Sequence, residues 1–211
     1  MAVRIGILSG KGGSAKTTLS LNLARAIEVD GNKVVVIDTD PQRTAKTWAE
    51  SQPEGYSLPV RHESESGAGT LEKRIERLSD DAEFGVIDGA AKIEGATGAA
   101  VRASHVVLIP VQPTPADTWG ARSVVEVVKE TGTTAAIVIT RQIVGTNLAS
   151  EVAEGLRRFG LPVFDSRMSQ RVAFAESMFD GRTVLDLSGA EKAKSEIQGI
   201  ATELAQLLSK I

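Results

Sequence analysis

Residues 3–24 read VRIGILSGKGGSAKTTLSLNLA, and this stretch decides the fold. Val3–Leu8 is an apolar run of strand length. It breaks at Ser9 into a loop holding Gly10, Gly12 and Gly13, and the loop passes straight into a helix pattern beginning at Thr17. A strand, a glycine-rich turn and a helix in immediate succession make a phosphate cradle. Glycines let successive backbone N–H groups converge on phosphate oxygens, and the helix N-terminus adds the positive end of its dipole. The expected nucleotide-binding residues are Gly10, Lys11, Gly12, Gly13, Ser14, Ala15, Lys16, Thr17 and Thr18. Lys16 falls against the β- and γ-phosphates, and the Thr17 hydroxyl falls on Mg²⁺. Ala15 stands where the general pattern G-x-x-x-x-G-K-[ST] has glycine. Its Cβ is expected to crowd phosphate or to resist a backbone angle that glycine reaches easily, with binding retained and affinity and hydrolysis rate affected.

Outward from this loop, short β-branched runs alternate with helix-length segments. Expected strands are Val3–Leu8, Lys33–Asp38, Leu58–His62, Phe84–Asp88, His105–Val111, Thr134–Thr140 and Pro162–Phe164. Expected helices are Thr17–Val29, Thr44–Glu50, Thr70–Leu78, Gly95–Ala103, Trp119–Thr131, Leu148–Phe159 and Ala190–Ile211. Continuous apolar runs such as VVVID, VVLIPV and AAIVIT suit parallel strands covered on both faces. The fold class is α/β: a P-loop nucleotide-hydrolase architecture with a mostly parallel twisted sheet flanked by helices on both faces. One domain over residues 1–211 accommodates it, and Ser51–Gly69 is the most loop-like stretch.

Composition narrows the chemistry. The chain is 42% hydrophobic and 24% charged with a formal net charge of -3, so a globally basic nucleic-acid binder is excluded and any DNA contact must be local. Cysteine is absent, which excludes disulfides, thiolate zinc sites, iron–sulfur clusters and cysteine nucleophiles. No apolar run approaches the roughly 20 residues of a membrane span, and the N-terminal run reads as a strand, not a signal peptide. A cytoplasmic protein is expected.

Carboxylates end two further strands. KVVVIDTDPQ closes on Asp38 and Asp40, which alternation puts on one face at the ligand side of a parallel sheet. One of them suits a Mg²⁺ shell and the other a water-positioning role. FGVIDGA closes on Asp88, in the position of a carboxylate that holds Mg²⁺ through water. Gly89-Ala90 then suits a flexible segment that senses the γ-phosphate.

The string Lys11-Gly12-Gly13-Ser14-Ala15-Lys16-Thr17 resembles the deviant Walker A motif of the ParA/MinD superfamily of ATPases, and Asp38-Thr39-Asp40-Pro41-Gln42 resembles the form found in its partition members. The likeness runs from the first strand to the last helix and is nearest to the short plasmid-partition ParA (ParF-like) proteins. It implies ATP and Mg²⁺ as cofactors and a homodimer closed around two ATP molecules. It further implies that Lys11 stabilises charge in trans, that Asp40 is tied to hydrolysis and that Asp38 belongs to the Mg²⁺ water shell. Lys11, Lys16 and Asp40 are thus the catalytic candidates, and Thr17, Asp38 and Asp88 the metal candidates. HVVLIPVQPTPAD, with Asp117 and Trp119, and Thr140-Arg141 resemble segments near the base or the dimer interface. On this resemblance Arg141 joins the nucleotide-binding set.

The superfamily does several jobs. Nitrogenase-type iron proteins need cysteines. Septum-site members carry a C-terminal amphipathic membrane helix, but here Ile197, Ile200, Ala201, Leu204, Leu207, Leu208 and Ile211 make a stripe without a Lys/Arg excess, so it is expected to pack on the domain and no membrane partner is expected. Between residues 141 and 171, Arg157, Arg158, Arg167 and Arg171 (with Arg141) outnumber nearby acids and form the candidate DNA-binding patch. The resulting expectation is an ATPase switch for plasmid or chromosome segregation. It binds non-specific nucleoid DNA as a dimer and is stimulated by a ParB-like or other cargo adaptor. Alternatives are positioning of a protein organelle or chemoreceptor cluster, a small-molecule ligase or kinase, and a nucleotide-gated binding module with little turnover.

Overall fold

The computed structural model describes residues 2–63, 68–90 and 94–211. Among them, strands β1 (Val3–Ile7), β2 (Val34–Asp38), β3 (Val60–His62), β4 (Phe84–Asp88), β5 (Val106–Val111), β6 (Thr134–Gln142) and β7 (Met168–Ser169) form one sheet. Their order is β3-β2-β4-β1-β5-β6-β7, and every pairing is parallel. The expected mostly parallel sheet is therefore parallel throughout. The chain leaves β1 at the centre and returns on either side of it, so the loop after β1 opens at the point where ligands of such sheets bind.

The strands carry apolar side chains on both faces because helices cover both. Along β2, Val34 and Val36 belong to one core layer and Val35 and Ile37 to the other; along β5, Val106 and Leu108 separate likewise from Val107 and Ile109. The first layer is covered by α1 (Lys16–Val29), α2 (Thr44–Glu50), α7 (Val172–Phe179) and α8 (Glu191–Leu208). The second lies under α3 (Ala68–Ser79), α4 (Glu94–Ala103), α5 (Pro115–Thr131) and α6 (Leu148–Arg157). Trp48 of α2 lies in the first layer at 3% exposure, with its indole N–H donating to the Arg182 carbonyl. The C-terminal stripe packs as expected: Ile197, Ile200 and Leu204 are buried in the layer that contains Leu19 and Leu23 of α1, while Ile211 stays exposed.

Two expectations give way. Pro162–Phe164 is not a strand of the ladder; it makes only an isolated bridge between Ile137 and Val163. The seventh strand is Met168–Ser169, and α7 and a 3₁₀ turn at Val184–Asp186 follow where no element was expected. Part of the Ser51–Gly69 stretch, residues 64–67, lies outside the described residues.

A polar knot joins α1 to the 3₁₀ turn. The Asp186 carboxylate accepts from the Arg25 guanidinium at 2.7 and 2.9 Å, from the Tyr56 hydroxyl at 3.0 Å and from the Thr183 hydroxyl at 2.7 Å. Burial opposes ionisation of Asp186, but these donors outweigh it and hold its pKa below the usual carboxylate range.

Candidate functional site

The loop between β1 and α1 is pinned from the ends of β5 and β6. The Gln112 amide, just past β5, donates to the Gly13 carbonyl at 2.8 Å, and the Thr140 hydroxyl of β6 donates to the Ser14 carbonyl at 3.0 Å. The Gly120–Ser123 segment of α5 closes on it. A Cβ on Gly10 would fall 2.4 Å from the Gly120 carbonyl oxygen and 2.4 Å from the Ser123 hydroxyl, so glycine is required there by packing. Ala15 takes φ 61°, ψ 28°, the left-handed conformation, at the N-cap of α1. The backbone angle foreseen from the missing glycine is real, and alanine adopts it.

Lys16 is buried, and its ammonium donates to the Lys11 carbonyl at 3.2 Å, which places it inside the loop. Burial lowers its pKa, opposed by the charges of Asp88 and Asp40. Lys11 sits on the outer rim. Its ammonium pairs in cis with Asp117 of α5 at 2.9 Å. The next-but-one residue, Trp119, is 75% exposed.

Asp38 and Asp88 are register partners at the carboxyl ends of adjacent strands, and both are buried. Each Asp38 oxygen already accepts a backbone N–H, from Asp40 at 3.0 Å and from Lys46 at 2.9 Å, so the carboxylate fixes the turn after β2 and the start of α2. Burial pushes the Asp38 carboxyl up, partly offset by those two N–H groups. Asp40 is half-buried; its Oδ1 accepts the Gln42 N–H at 2.9 Å, and its carbonyl accepts from Arg43, closing a turn around Pro41. Alternation thus brought Asp38 to the ligand end of the sheet, where it also holds the turn after β2 together.

Asp88 accepts from the Ser20 hydroxyl at 3.0 Å through Oδ1, while its buried Oδ2 has no hydrogen-bond partner among the described residues. Burial, reinforced by Asp38, pushes its carboxyl up to about 7, against the hydroxyls of Thr17 and Ser20 and the Lys16 charge. A buried carboxylate oxygen without a donor, beside a threonine hydroxyl at the start of α1, fits a hydrated Mg²⁺. No group of three or more His, Asp or Glu converges as a metal site among the described residues, which suits an ion held chiefly by phosphate and water. The segment expected to be flexible is packed here: Gly89 and Ala90 are buried, the Gly89 N–H donates to the Ile7 carbonyl at 3.2 Å, and a Cβ on Gly89 would meet Leu8 at 2.3 Å.

Beyond the loop lies a cavity of about 720 Å³, bordered by Ala15, Thr18, Arg141, Gln170 and Phe179. Arg141 has φ 52° at a register shift between Thr140 and Gln142, and that irregularity gives it a place on the cavity wall. The space has the size and position for a base and ribose next to the phosphate loop. Exposed apolar residues stand around this end of the sheet: Trp119, Ile143, Val144, Val172 and Phe179, the last 85% exposed.

The arginines expected to meet DNA do not stand as one unpaired cluster. Arg171 lines the cavity and is paired with Glu196 at 2.6 Å; Arg157 is paired with Glu154 at 2.6 Å; Arg167 donates to the Ser150 hydroxyl at 3.2 Å. Only Arg158, with Arg157, stands exposed at the C-terminal end of α6, about 10 Å along the helix from Ser150 by its rise per residue. Counting charges along the chain missed these pairings. Gln112 and Ser20 escaped sequence reasoning as site residues, and so did the pairing of Asp117 with Lys11, because the partners lie 99, 68 and 106 positions away. Among the described residues no helix is long and apolar enough to cross a membrane.

This geometry agrees with the comparisons. Residues 5–184 match the model of the CobQ/CobB/MinD/ParA nucleotide binding domain. A "maintenance of carboxysome distribution protein A" from Gloeobacter kilaueensis is 28% identical over 209 residues, covering 95% of this chain and 93% of that protein. In fold, the chain is similar to an aspartate-to-alanine variant of McdA from Cyanothece in complex with ATP (TM-score 0.79, 17% identity, 97% and 96% covered). It is equally similar to a plasmid partition protein from Borrelia burgdorferi bound to AMPPNP (TM-score 0.79, 18% identity, the whole of both chains covered). The chain belongs to the CobQ/CobB/MinD/ParA nucleotide-binding family and is an ATPase of the ParA/MinD kind, with ATP and Mg²⁺ as its cofactors.

Proposed function

We propose that the chain is a positioning switch: residues 1–211 act as one ATPase unit that closes into a homodimer around two Mg-ATP molecules, holds non-specific DNA in that state, and is returned to monomers when an adaptor on its cargo stimulates hydrolysis. The observation that carries this reading is the pair of lysines on one loop. Lys16 is enclosed where a single nucleotide needs it, and Lys11 stands on the rim with its side chain 38% exposed, within reach of a second copy once it leaves Asp117. An additional cation delivered to the γ-phosphate is the device by which slow switches gain rate.

In this reading Lys16 and the loop N–H groups hold the phosphates, and Thr17 and Asp88 hold Mg²⁺, Asp88 through water. Bound Mg²⁺ supplies neutralisation of charge on the phosphate oxygens. Asp40 orients the attacking water, and Asp38 keeps Asp40 in place through its backbone N–H. Arg141 and Thr18 border the base, and Lys11 acts from the partner copy. DNA is met by the exposed end of α6, with Arg158 doubled in the dimer.

The end-to-end match to a carboxysome-distribution protein favours a protein organelle as cargo over the plasmid or chromosome locus first expected. The likeness to a partition protein in complex with AMPPNP supports the second reading. Binding to non-specific double-stranded DNA at low and moderate salt, with ATP, ADP or no nucleotide, tests both. Binding with ATP alone, weakened by salt and lost in Lys11→Ala, supports the switch. No binding in any state refutes the DNA step and points to a metabolite-dependent ligase or kinase on this fold.

A further inference from the structure

The ion pair between Lys11 and Asp117 links the loop lysine to a buried acid, and it has a use in the switch. Asp117 is fixed before any lysine reaches it. Its backbone N–H donates to the Thr114 hydroxyl at 3.1 Å, and that hydroxyl donates to Asp117 Oδ2 at 2.5 Å, in the first turn of α5. The Lys11 ammonium then meets the same Oδ2 at 2.9 Å, while Oδ1 is buried with no hydrogen-bond partner among the described residues. The two partners are unequal: the Asp117 side chain is 3% exposed and that of Lys11 38%. Lysine can leave toward solvent; the carboxylate cannot. The lysine stem lies along Gly120, where a Cβ would come within 3.3 Å of the Lys11 Cβ, so the missing side chain opens its path.

We infer that Asp117 is a positioning residue that holds Lys11 in cis in the free monomer and thereby sets how readily the lysine is released to a second copy's nucleotide. This rests on the reading of Lys11 as a residue acting in trans. The ammonium has two anionic stations, the buried carboxylate of its own chain and the phosphates across the dimer. Withdrawing it from the first leaves a buried charge supported only by one hydroxyl and the helix N-terminus, which is costly. Part of the free energy of dimer closure is therefore spent on release, and the monomer is favoured until nucleotide is bound on both sides.

The test uses Asp117→Asn in the full chain, with two measurements. The first is the rate at which an N-hydroxysuccinimide ester acylates Lys11 without nucleotide, followed by peptide mass spectrometry. The second is the concentration of Mg-AMPPNP at half-maximal dimer in sedimentation. Acylation is expected to rise severalfold and the half-point to fall about tenfold, with Asp117→Glu retaining protection of Lys11. Unchanged acylation overturns the inference, and so does faster acylation with an unmoved half-point. Absence of any dimer in the unmodified chain overturns the switch reading instead, while acylation still decides whether Asp117 holds Lys11. If Asp117→Asn fails to fold, Lys11→Met reads the same pair from the other side. It leaves the acid uncompensated and should lower the melting midpoint of the ligand-free protein by roughly 2–4 °C; an unmoved midpoint overturns the inference.

Discussion

Replacing Ala15 with glycine restores the residue that the phosphate-loop pattern contains, and the structure gives reason to expect almost no gain in stability. Ala15 holds φ 61°, ψ 28°, a conformation that costs an L-residue about 1–2 kcal/mol. Glycine removes that strain. It also loosens the unfolded chain, which costs about 0.4–1 kcal/mol. The Ala15 methyl is itself part of the buried layer beneath α1, and deleting it forfeits about 0.8 kcal/mol of burial. The contributions cancel to within about 1 kcal/mol, so the urea midpoint of Ala15→Gly should stay near that of the unmodified chain. Ala15→Val should behave differently: a β-branched side chain resists the left-handed region strongly, and its extra methyls overfill a packed site, for a loss of about 2 kcal/mol or more. Both variants are read by equilibrium unfolding with far-UV circular dichroism, ligand-free and at matched pH. A stabilisation above about 2 kcal/mol in Ala15→Gly, or a neutral Ala15→Val, would refute the assignment of Ala15 to a left-handed, packed N-cap.

Lys16→Met removes a buried ammonium that only phosphate fully compensates. Phosphate release from Mg-ATP should be abolished while the ligand-free melting midpoint holds or rises; retained turnover would sink the site assignment. Gly10→Ala drives a Cβ to 2.4 Å from the Gly120 carbonyl, which must move the second turn of α5, so nucleotide affinity measured by calorimetry should drop together with about 1–3 kcal/mol of stability. Asp186→Asn tests the knot between α1 and the 3₁₀ turn. The folded pKa of Asp186 lies below its unfolded value near 3.9, so its stabilisation is present above that value and fades as pH falls through the folded pKa. The variant should therefore be less stable than the parent at pH 7, by about 1–3 kcal/mol, and the gap should begin to narrow below about pH 4 as Asp186 takes up its proton; a gap that does not narrow on further acidification contradicts the ionic account.

The parts legible in the sequence are those written locally. Phe84–Asp88 and Thr44–Glu50 have the bounds expected of them, because a continuous apolar run between polar neighbours and a helix after the Asp40-Pro41 turn need no distant partner. The phosphate loop was legible for the same reason. Met168–Ser169 was not: two residues become a strand only because β6 continues past its irregularity at Arg141 to pair with them. Pro162–Phe164 looked the better strand, but its contact with Ile137 ends after one bridge. The short apolar helix Val172–Phe179 lacks the alternating polar face that marks a helix in sequence, as its far end is left bare at Phe179. Charge was least legible of all. Five arginines between residues 141 and 171 suggested a basic surface, and only pairing with Glu154 and Glu196 in space shows that two of them are already neutralised.

The two tryptophans of the chain differ in a way that makes the molecule its own optical sensor. Trp48 is buried in the layer that contains α1 and should emit as a buried indole, shielded from a quencher in solvent. Trp119 is exposed beside Gly120, the residue along which the Lys11 stem runs, so its emission should be red-shifted and open to collisional quenching. Any partner that covers the rim of the loop dries one indole and leaves the other untouched. Acrylamide quenching of the unlabelled protein thus divides into a constant fraction and a reporting fraction, and the reporting fraction follows closure in real time without a dye.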